Sequence, residues 1–160
     1  MPILCSGPAG DRVRELLNPW GMRIEFVGAE LGRASGIKIL RSVLIKGIEA
    51  LTGEMLLAAR HYGIDEIVLA SASKTLARPW METVQSLIPS GVIHAQRRAE
   101  ELEMSAEAVA DAGIEPVMAR AVAARLHWKA SLGLKDQLKG VEPADYKAAM
   151  NAVASGMKTK

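Results

Sequence analysis

Lys38 is the residue of this sequence best placed to do chemistry, because it lies on a polar stripe along a strongly apolar segment. Between positions 37 and 59 most residues are apolar, but polar residues recur at spacings of three or four and therefore share one face of a helix. A lysine buried by such a helix is expected to have a lowered pKa, because desolvation disfavours its charged form. Lys38 is therefore a candidate general acid/base. The polar stripe consists of Ser35, Lys38, Ser42, Lys46 and Glu49.

A purely structural role for Lys38 is the alternative. Lysine stems often lie along apolar surface while the ammonium group reaches water. The small residues Ser35 and Gly36, just before Lys38, favour a ligand site instead, because small residues let a ligand approach the backbone. Ser35 and Gly36 are therefore candidate substrate-binding residues.

A second polar group contains paired arginines, which suit the recognition of an anion. Two neighbouring guanidinium groups are able to hold a carboxylate or a phosphate. A solvated helix face is the alternative, with Arg–Glu pairs worth roughly 0.2–1 kcal/mol each. The members of this group are His94, Arg97, Arg98 and Glu101. Their spacings of i, i+3, i+4 and i+7 place them on one face of a helix. The candidate substrate-binding residues of this group are His94, Arg97 and Arg98.

Composition and charge exclude several classes of protein. The formal net charge is only +2 with interspersed charges, so no nucleic-acid partner is predicted. No apolar run reaches the ~18 residues of a transmembrane helix, and the N-terminus lacks the pattern of a signal peptide. The single cysteine, Cys5, excludes an internal disulfide. No metal site is predicted, because His61, His94 and His127 are far apart in the sequence. These features predict a soluble, cytoplasmic protein without a membrane partner.

The hydrophobic periodicity predicts a mainly α-helical fold preceded by a short β-α-β unit. Only 4% of the 160 residues are aromatic, while Ala, Leu, Glu and Lys are plentiful, which favours helix over sheet. A helix as apolar as the one after Gly36 is expected to lie in the middle of its domain. A simple turn is expected at 6–10, and the tail 158–160 is expected to be disordered. The predicted strands are 2–6 and 22–27, and the predicted helices are 11–17, 36–61, 65–73, 80–87, 92–112, 116–131 and 143–156.

The segment from Gly32 to Gly63, which contains Ala-Ser-Gly-Ile-Lys-Ile-Leu-Arg-Ser-Val-Leu-Ile-Lys-Gly-Ile-Glu-Ala-Leu, resembles the start of the helical C-terminal domain in the β-hydroxyacid dehydrogenase and 6-phosphogluconate dehydrogenase superfamily. The chain looks most like the bacterial NAD(P)-dependent oxidoreductases with a 6-phosphogluconate dehydrogenase C-terminal-like domain. In this resemblance Lys38 matches the family's catalytic lysine. Ser42 stands where most members have asparagine. The segment around His94 lies where other members have a second motif that faces substrate and cofactor.

The resemblance implies two domains. Residues 1–30 look like the end of a Rossmann-type cofactor domain, as a β-α-β remnant, and residues 31–160 look like the helical substrate and dimerisation domain. The dinucleotide fingerprint is missing, so the chain has no complete cofactor-binding site and is expected to be a C-terminal portion that does not bind a dinucleotide tightly. A full-length enzyme of this kind would use NAD or NADP and form a homodimer.

The activity implied by the resemblance is oxidation of a hydroxyacid. Lys38 would accept the proton of the substrate hydroxyl, and Ser42 would hydrogen-bond the substrate or orient Lys38. The alternative is a non-catalytic helical module that dimerises or binds a partner. The sequence does not identify the hydroxyacid, choose between NAD and NADP, or decide whether decarboxylation follows.

Overall fold

The computed structural model describes residues 2–158, which divide into two compact units. The first unit reaches as far as Glu49 and the second begins at Ala50, so the division falls inside the longest helix. The assignment of 1–30 and 31–160 to two domains stays a prediction. Of the tail expected to be disordered, Lys158 is instead the last residue of a helix, and Thr159 and Lys160 lie outside the described residues.

The first unit contains the predicted β-α-β arrangement. Strand β1 (Ile3–Cys5) pairs in parallel with β2 (Ile24–Phe26), with Ile3 opposite Ile24, and helix α1 (Gly10–Leu17) connects them. A 3₁₀ turn at Asn18–Trp20 follows α1. The Asn18 side chain fixes the return to the sheet, because its amide nitrogen donates to the Ile24 carbonyl at 3.1 Å and its oxygen accepts from the Ile24 N–H at 2.8 Å. This local pairing sets the register of β2 beside β1.

The rest of the described chain is helical, which confirms the predicted fold class. Most predicted helices are present with shifted ends, but a four-residue helix after Gly133 was not predicted. None of the helices in the described range is long and apolar enough to cross a membrane. The helices are α2 (Arg33–His61), α3 (Asp65–Leu76), α4 (Trp80–Ile93), α5 (Ala95–Asp111), α6 (Val117–Ala130), α7 (Leu134–Gln137) and α8 (Tyr146–Lys158).

The predicted break at residues 89–91 is wrong, because α4 continues through Pro89 to Ile93. Proline lacks the N–H that would bond to the carbonyl four residues earlier, and this usually ends a helix. Here the residues after Pro89 are core residues: Val92 and Ile93 are both buried. Burial of two branched apolar side chains outweighs the missing hydrogen bond.

The hydrophobic core of the second unit lies where α4, α8 and the segment around α7 meet. Partly buried side chains, including Trp128, pack around it. The buried residues of this core are Val92, Ile93, Leu132, Leu134, Ala149 and Val153. Helices α5 and α6 pack beside it through alanines, which let helix backbones approach closely; these are Ala99, Ala106, Ala119 and Ala123.

Helix α2 is not buried within this chain, contrary to the expectation that it lies in the middle of a domain. Its buried residues are Ala58 and Ala59, near its C-terminal end. Leu40 and Val43, farther toward the N-terminus, are 73% and 70% exposed. A helix with apolar residues on nearly every side needs neighbours on every side, and one chain supplies them at one end only.

Glu54 anchors the C-terminal part of α2 to the rest of the second unit. Its carboxylate accepts the backbone N–H groups of Met118 and Ala119 at 2.7 and 2.8 Å. These two groups lie in the first turn of α6, where helical N–H groups have no partner within the helix. A carboxylate at this position also interacts favourably with the helix dipole.

Replacement of Glu54 by alanine should therefore destabilise the second unit. We expect Glu54→Ala to lower the free energy of unfolding by about 1–2 kcal/mol, as is typical for loss of a helix cap. Urea denaturation followed by circular dichroism measures this difference. Glu107→Ala is the matched control, because Glu107 is exposed on α5. Equal stability of the two variants would contradict the capping role of Glu54.

Candidate functional site

The polar stripe of α2 forms an open groove on the first unit. The groove has a volume of about 430 Å³ and is lined by Ser35, Lys38, Ile39, Ser42 and Lys46. Four of these five residues belong to the predicted stripe, so the helical spacing does bring them together. Gly36 lies within the same helical turn as Ser35 and has open space around its Cα.

The start of α2 is held by the turn that follows β1. The Ala34 N–H donates to Ser6 Oγ at 3.1 Å, which ties the first turn of the helix to the β-α-β unit. Gly32, with φ of +84°, makes the left-handed bend from which α2 starts. These contacts position Ser35 and Lys38, which lie in the first two turns of α2.

Lys38 is exposed in this chain, so its expected burial is not observed. As for the helix as a whole, this region of α2 is left uncovered by residues 2–158. Lys38 forms no ion pair or hydrogen bond with the described residues. Its ammonium group is therefore open to a substrate that enters the groove, and Ser42, half-buried one turn further on, lies beside it.

The turn between β1 and α1 does not form a cradle for the phosphates of a dinucleotide. The Gly7 N–H donates to the Gly28 carbonyl at 3.1 Å, and the Gly10 N–H donates to the Gly7 carbonyl at 2.9 Å. Pro8 has no N–H to offer. A simple turn was predicted here, and the Gly7 and Gly10 N–H groups both donate to backbone carbonyls.

The second polar group does not form a paired-arginine fork. Arg97 pairs with Glu101 on the exposed face of α5, which is the arrangement of the alternative interpretation. His94 precedes α5 and lies 3.6 Å from the Glu142 carboxylate. Arg98 points elsewhere, toward the end of α4. The three candidate residues His94, Arg97 and Arg98 thus have separate partners.

Arg98 lies over the C-terminal turns of α4. Its Nη2 donates to Ser90 Oγ at 3.0 Å, and its Nη1 lies 3.4 Å from the Leu87 carbonyl oxygen. A Cβ on Gly91 would stand 3.3 Å from Arg98 Nη1 and 3.5 Å from Lys129 Nζ. The absence of a side chain at Gly91 leaves space in which these two cationic groups face the same point.

Lys129 is the functional-site candidate that the sequence analysis missed. Burial lowers the pKa of Lys129 from its ordinary value of 10.5, and the nearby positive charges of Arg98 and Arg125 lower that pKa further. The guanidinium carbon of Arg125 lies 4.8 Å from the centre of the Trp128 ring. The sequence did contain a signal for the partial burial of Lys129. Lys129 follows Leu126 by three residues and Val122 by seven, so the three side chains share the partly buried face of α6.

Within residues 2–158 no group of three or more His, Cys, Asp or Glu side chains is arranged to hold a metal ion. The two regions that gather polar side chains are thus the groove of α2 in the first unit and the cationic cluster of Arg98, Arg125 and Lys129 in the second. The groove offers proton transfer, and the cationic cluster offers binding of an anion.

A large part of the second unit matches a known protein family. Residues 59–128, from the last turn of α2 to Trp128, match the family described as "Domain of unknown function (DUF1932)". The resemblance to the helical C-terminal domain of 3-hydroxyacid dehydrogenase-like proteins is thereby confirmed. The cationic cluster consists of two residues inside the matched segment, Arg98 and Arg125, and of Lys129 directly after it.

Three proteins similar to this chain are described as uncharacterized, hypothetical or of unknown function. An uncharacterized 28.5 kDa protein of Methanothermus fervidus, from the 7S RNA 5′ region, is 27% identical over 116 residues, which are 72% of this chain and 46% of that protein. A conserved hypothetical protein from Sinorhizobium meliloti 1021 has a solved structure with 30% identity and a TM-score of 0.43, over 96% of this chain and 51% of that one. The conserved protein MTH1747, described as structurally similar to 3-hydroxyacid dehydrogenases, has 32% identity and a TM-score of 0.45 over 86% of this chain and 51% of that one. The chain spans about half the length of each relative.

The lowered pKa of Lys129 predicts a pH-dependent stability. Between that lowered pKa and 10.5 the unfolded state binds more protons than the native state, so the free energy of unfolding rises with pH in this window. Lys129→Met removes the amine whose protonated form destabilises the native state. We therefore expect the variant to be more stable than the parent chain at about pH 7, with a gain that shrinks as the pH approaches 10.5.

Urea denaturation in chloride buffer at several pH values between neutrality and 10.5 checks this expectation. Lys147→Met is the control, since Lys147 is exposed on α8 and should give no pH-dependent gain. A stability difference between Lys129→Met and the parent chain that stays constant with pH would contradict the assigned environment of Lys129.

Proposed function

We propose that this chain is the catalytic and dimerisation part of an NAD(P)-dependent oxidoreductase that oxidises a hydroxyacid of the β-hydroxyacid or sugar-acid type. The observation that supports this most directly is the open groove in which Lys38 stands beside Ser35 and Ser42. The similarity to the helical domain of 3-hydroxyacid dehydrogenase-like proteins supports the same reaction class.

In this proposal Lys38 is the general acid/base. The neutral amine of Lys38 accepts the proton of the substrate hydroxyl as the hydroxyl-bearing carbon is oxidised. Because Lys38 is exposed in this chain, its removal from water would require a bound substrate that covers the groove.

Ser42 and the small residues before Lys38 would hold the substrate in the groove. A serine hydroxyl donates one hydrogen bond and accepts two, so Ser42 is able to bind a hydroxyl or carboxylate of the substrate while it faces Lys38. Ser35 and Gly36 leave room for the substrate to approach the first turn of α2. An asparagine at position 42, as in most members of the superfamily, would offer an amide donor and acceptor together, so the serine implies a different substrate contact.

NAD or NADP is the cofactor of the family that the chain resembles. The Gly7 and Gly10 N–H groups already donate to backbone carbonyls, so these two groups are not available to the phosphates of a dinucleotide. The proposal therefore assigns proton transfer and substrate contacts to this chain, and assigns no step of the reaction to a cofactor held by the described residues.

A second copy of the chain is the proposed cover for α2. Leu40 and Val43 are largely exposed on this helix, and Ile67 on α3 is 70% exposed. Apolar surface of this extent is uncommon on a monomer, and burial against a second copy would remove it from water. The same surfaces favour the second candidate function, a non-catalytic module that dimerises or binds a partner, and Lys38 distinguishes the two candidates.

Replacement of Lys38 by methionine tests the catalytic role. In an enzyme that combines this chain with a dinucleotide-binding domain, Lys38→Met should lower kcat by about 10²- to 10⁴-fold, because methionine keeps the stem but cannot exchange a proton. Steady-state kinetics and dinucleotide binding measure chemistry and cofactor affinity separately. Lys147→Met should retain full activity. A Lys38→Met enzyme with more than about half of the parental kcat would favour the non-catalytic module.

Introduction of a charge on the apolar face of α2 tests dimerisation. The parent chain should have twice its 17.1 kDa mass by light scattering at micromolar concentration. Leu40→Glu and Val43→Glu should shift the chain to monomer, because a carboxylate buried without a partner is costly. Met104→Glu is the matched control, since Met104 is also exposed but lies on α5. A monomeric parent chain, or dissociation by Met104→Glu alone, would contradict the proposed interface.

A further inference from the structure

Three cations converge near the end of α4 without a carboxylate partner among the described residues. Arg98 Nη1 and Lys129 Nζ both lie within 3.5 Å of the position that a Gly91 Cβ would occupy. Arg125 is the third cation, and its charge acts on Lys129. Lys129 forms neither a hydrogen bond nor an ion pair with any part of the chain that the structure describes. Like charges that are partly desolvated together are unfavourable unless an anion joins them.

We propose that Arg98, Lys129 and Arg125 form a binding site for the phosphate group of a small molecule near the C-terminal end of α4. The proposal concerns only the second unit and does not rest on the dehydrogenase function proposed above. A bound phosphate would accept hydrogen bonds from the free donors of Arg98 and Lys129 and would neutralise their mutual repulsion.

Helix capping accounts for part of this arrangement but not for all of it. Cations near a helix C-terminus interact favourably with its carbonyl groups and its dipole, and the contact of Arg98 with the Leu87 carbonyl is of this kind, while a second guanidinium nitrogen donates to the Ser90 hydroxyl. Lys129 has no such contact, although its ammonium group faces the same point. Lys129 is half-buried beside two arginines. An anionic ligand that neutralises these three positive charges would explain this position.

The donor set favours phosphate over a carboxylate. A guanidinium group presents a fork of donors and an ammonium group a compact charge, and together they match a doubly charged tetrahedral anion. The Ser90 hydroxyl, already in contact with Arg98, adds a further donor at the edge of the site. Gly91 lets the two cations approach α4, since a Cβ there would stand 3.3 Å from Arg98 Nη1, which is closer than ordinary van der Waals contact.

Titration of the ¹⁵N-labelled chain with inorganic phosphate, followed by NMR at constant ionic strength, tests the proposal. We expect saturable shifts of the amide signals of Ser90, Gly91 and Lys129. Lys129→Met should weaken phosphate binding by about tenfold or more, whereas Lys147→Met should leave it unchanged. Arg125→Gln, a change of an exposed side chain, should weaken binding by a smaller factor and provides a second test if Lys129→Met alters the fold.

Several results would overturn the site. Sodium chloride at equal ionic strength should not reproduce the shifts, and shifts of the same size with chloride would reject specific binding. Equal affinity of the parent chain, Lys129→Met and Arg125→Gln would reject the assignment of these residues. Tighter saturable binding of acetate than of phosphate would reject phosphate as the ligand class.

Discussion

The distribution of apolar side chains around α2 is the constraint on which the rest of this structure depends. The helix has 29 residues, and Ala58 and Ala59 are its buried ones. Most of its other apolar side chains are exposed in a single chain, at a free-energy cost of roughly 25 cal/mol per Å² of surface that could be buried. One narrow polar stripe, centred on Lys38 and Ser42, interrupts this apolar surface. A partner is therefore expected to cover the apolar sides of α2 and leave the polar side for a ligand.

Contacts within the second unit fix the C-terminal end of α2. Glu54 binds the first turn of α6, and α6 in turn packs closely on α5 through small residues. The core around Val92 and Leu134 fixes α4 and α8 beside this pair. A stably folded unit at one end of α2, with exposed apolar turns toward the other, is an arrangement suited to association through the helix.

Much of the fold was predictable from local patterns, whereas the contacts that define the candidate sites were not. The β-α-β unit and the groove around Lys38 follow from periodicity, which depends only on residue spacing. The continuation of α4 through Pro89 depends on core packing that a local breaker rule ignores. Arg97 pairs with Glu101, whereas Arg98 lies near Lys129. These contacts depend on how α4, α5 and α6 pack, which the spacing of residues within one helix does not reveal.

The central claim is that a second copy covers the apolar face of α2 while its polar groove stays open. Thiol labelling of single cysteines introduced into the Cys5→Ser chain measures both halves of this claim at micromolar concentration. Lys38→Cys should react as fast as the exposed reference Lys147→Cys. Leu40→Cys should react at about one tenth of that rate or more slowly, because its labelling requires dissociation of the two copies. Equally fast labelling of Leu40→Cys and Lys147→Cys would contradict the claim.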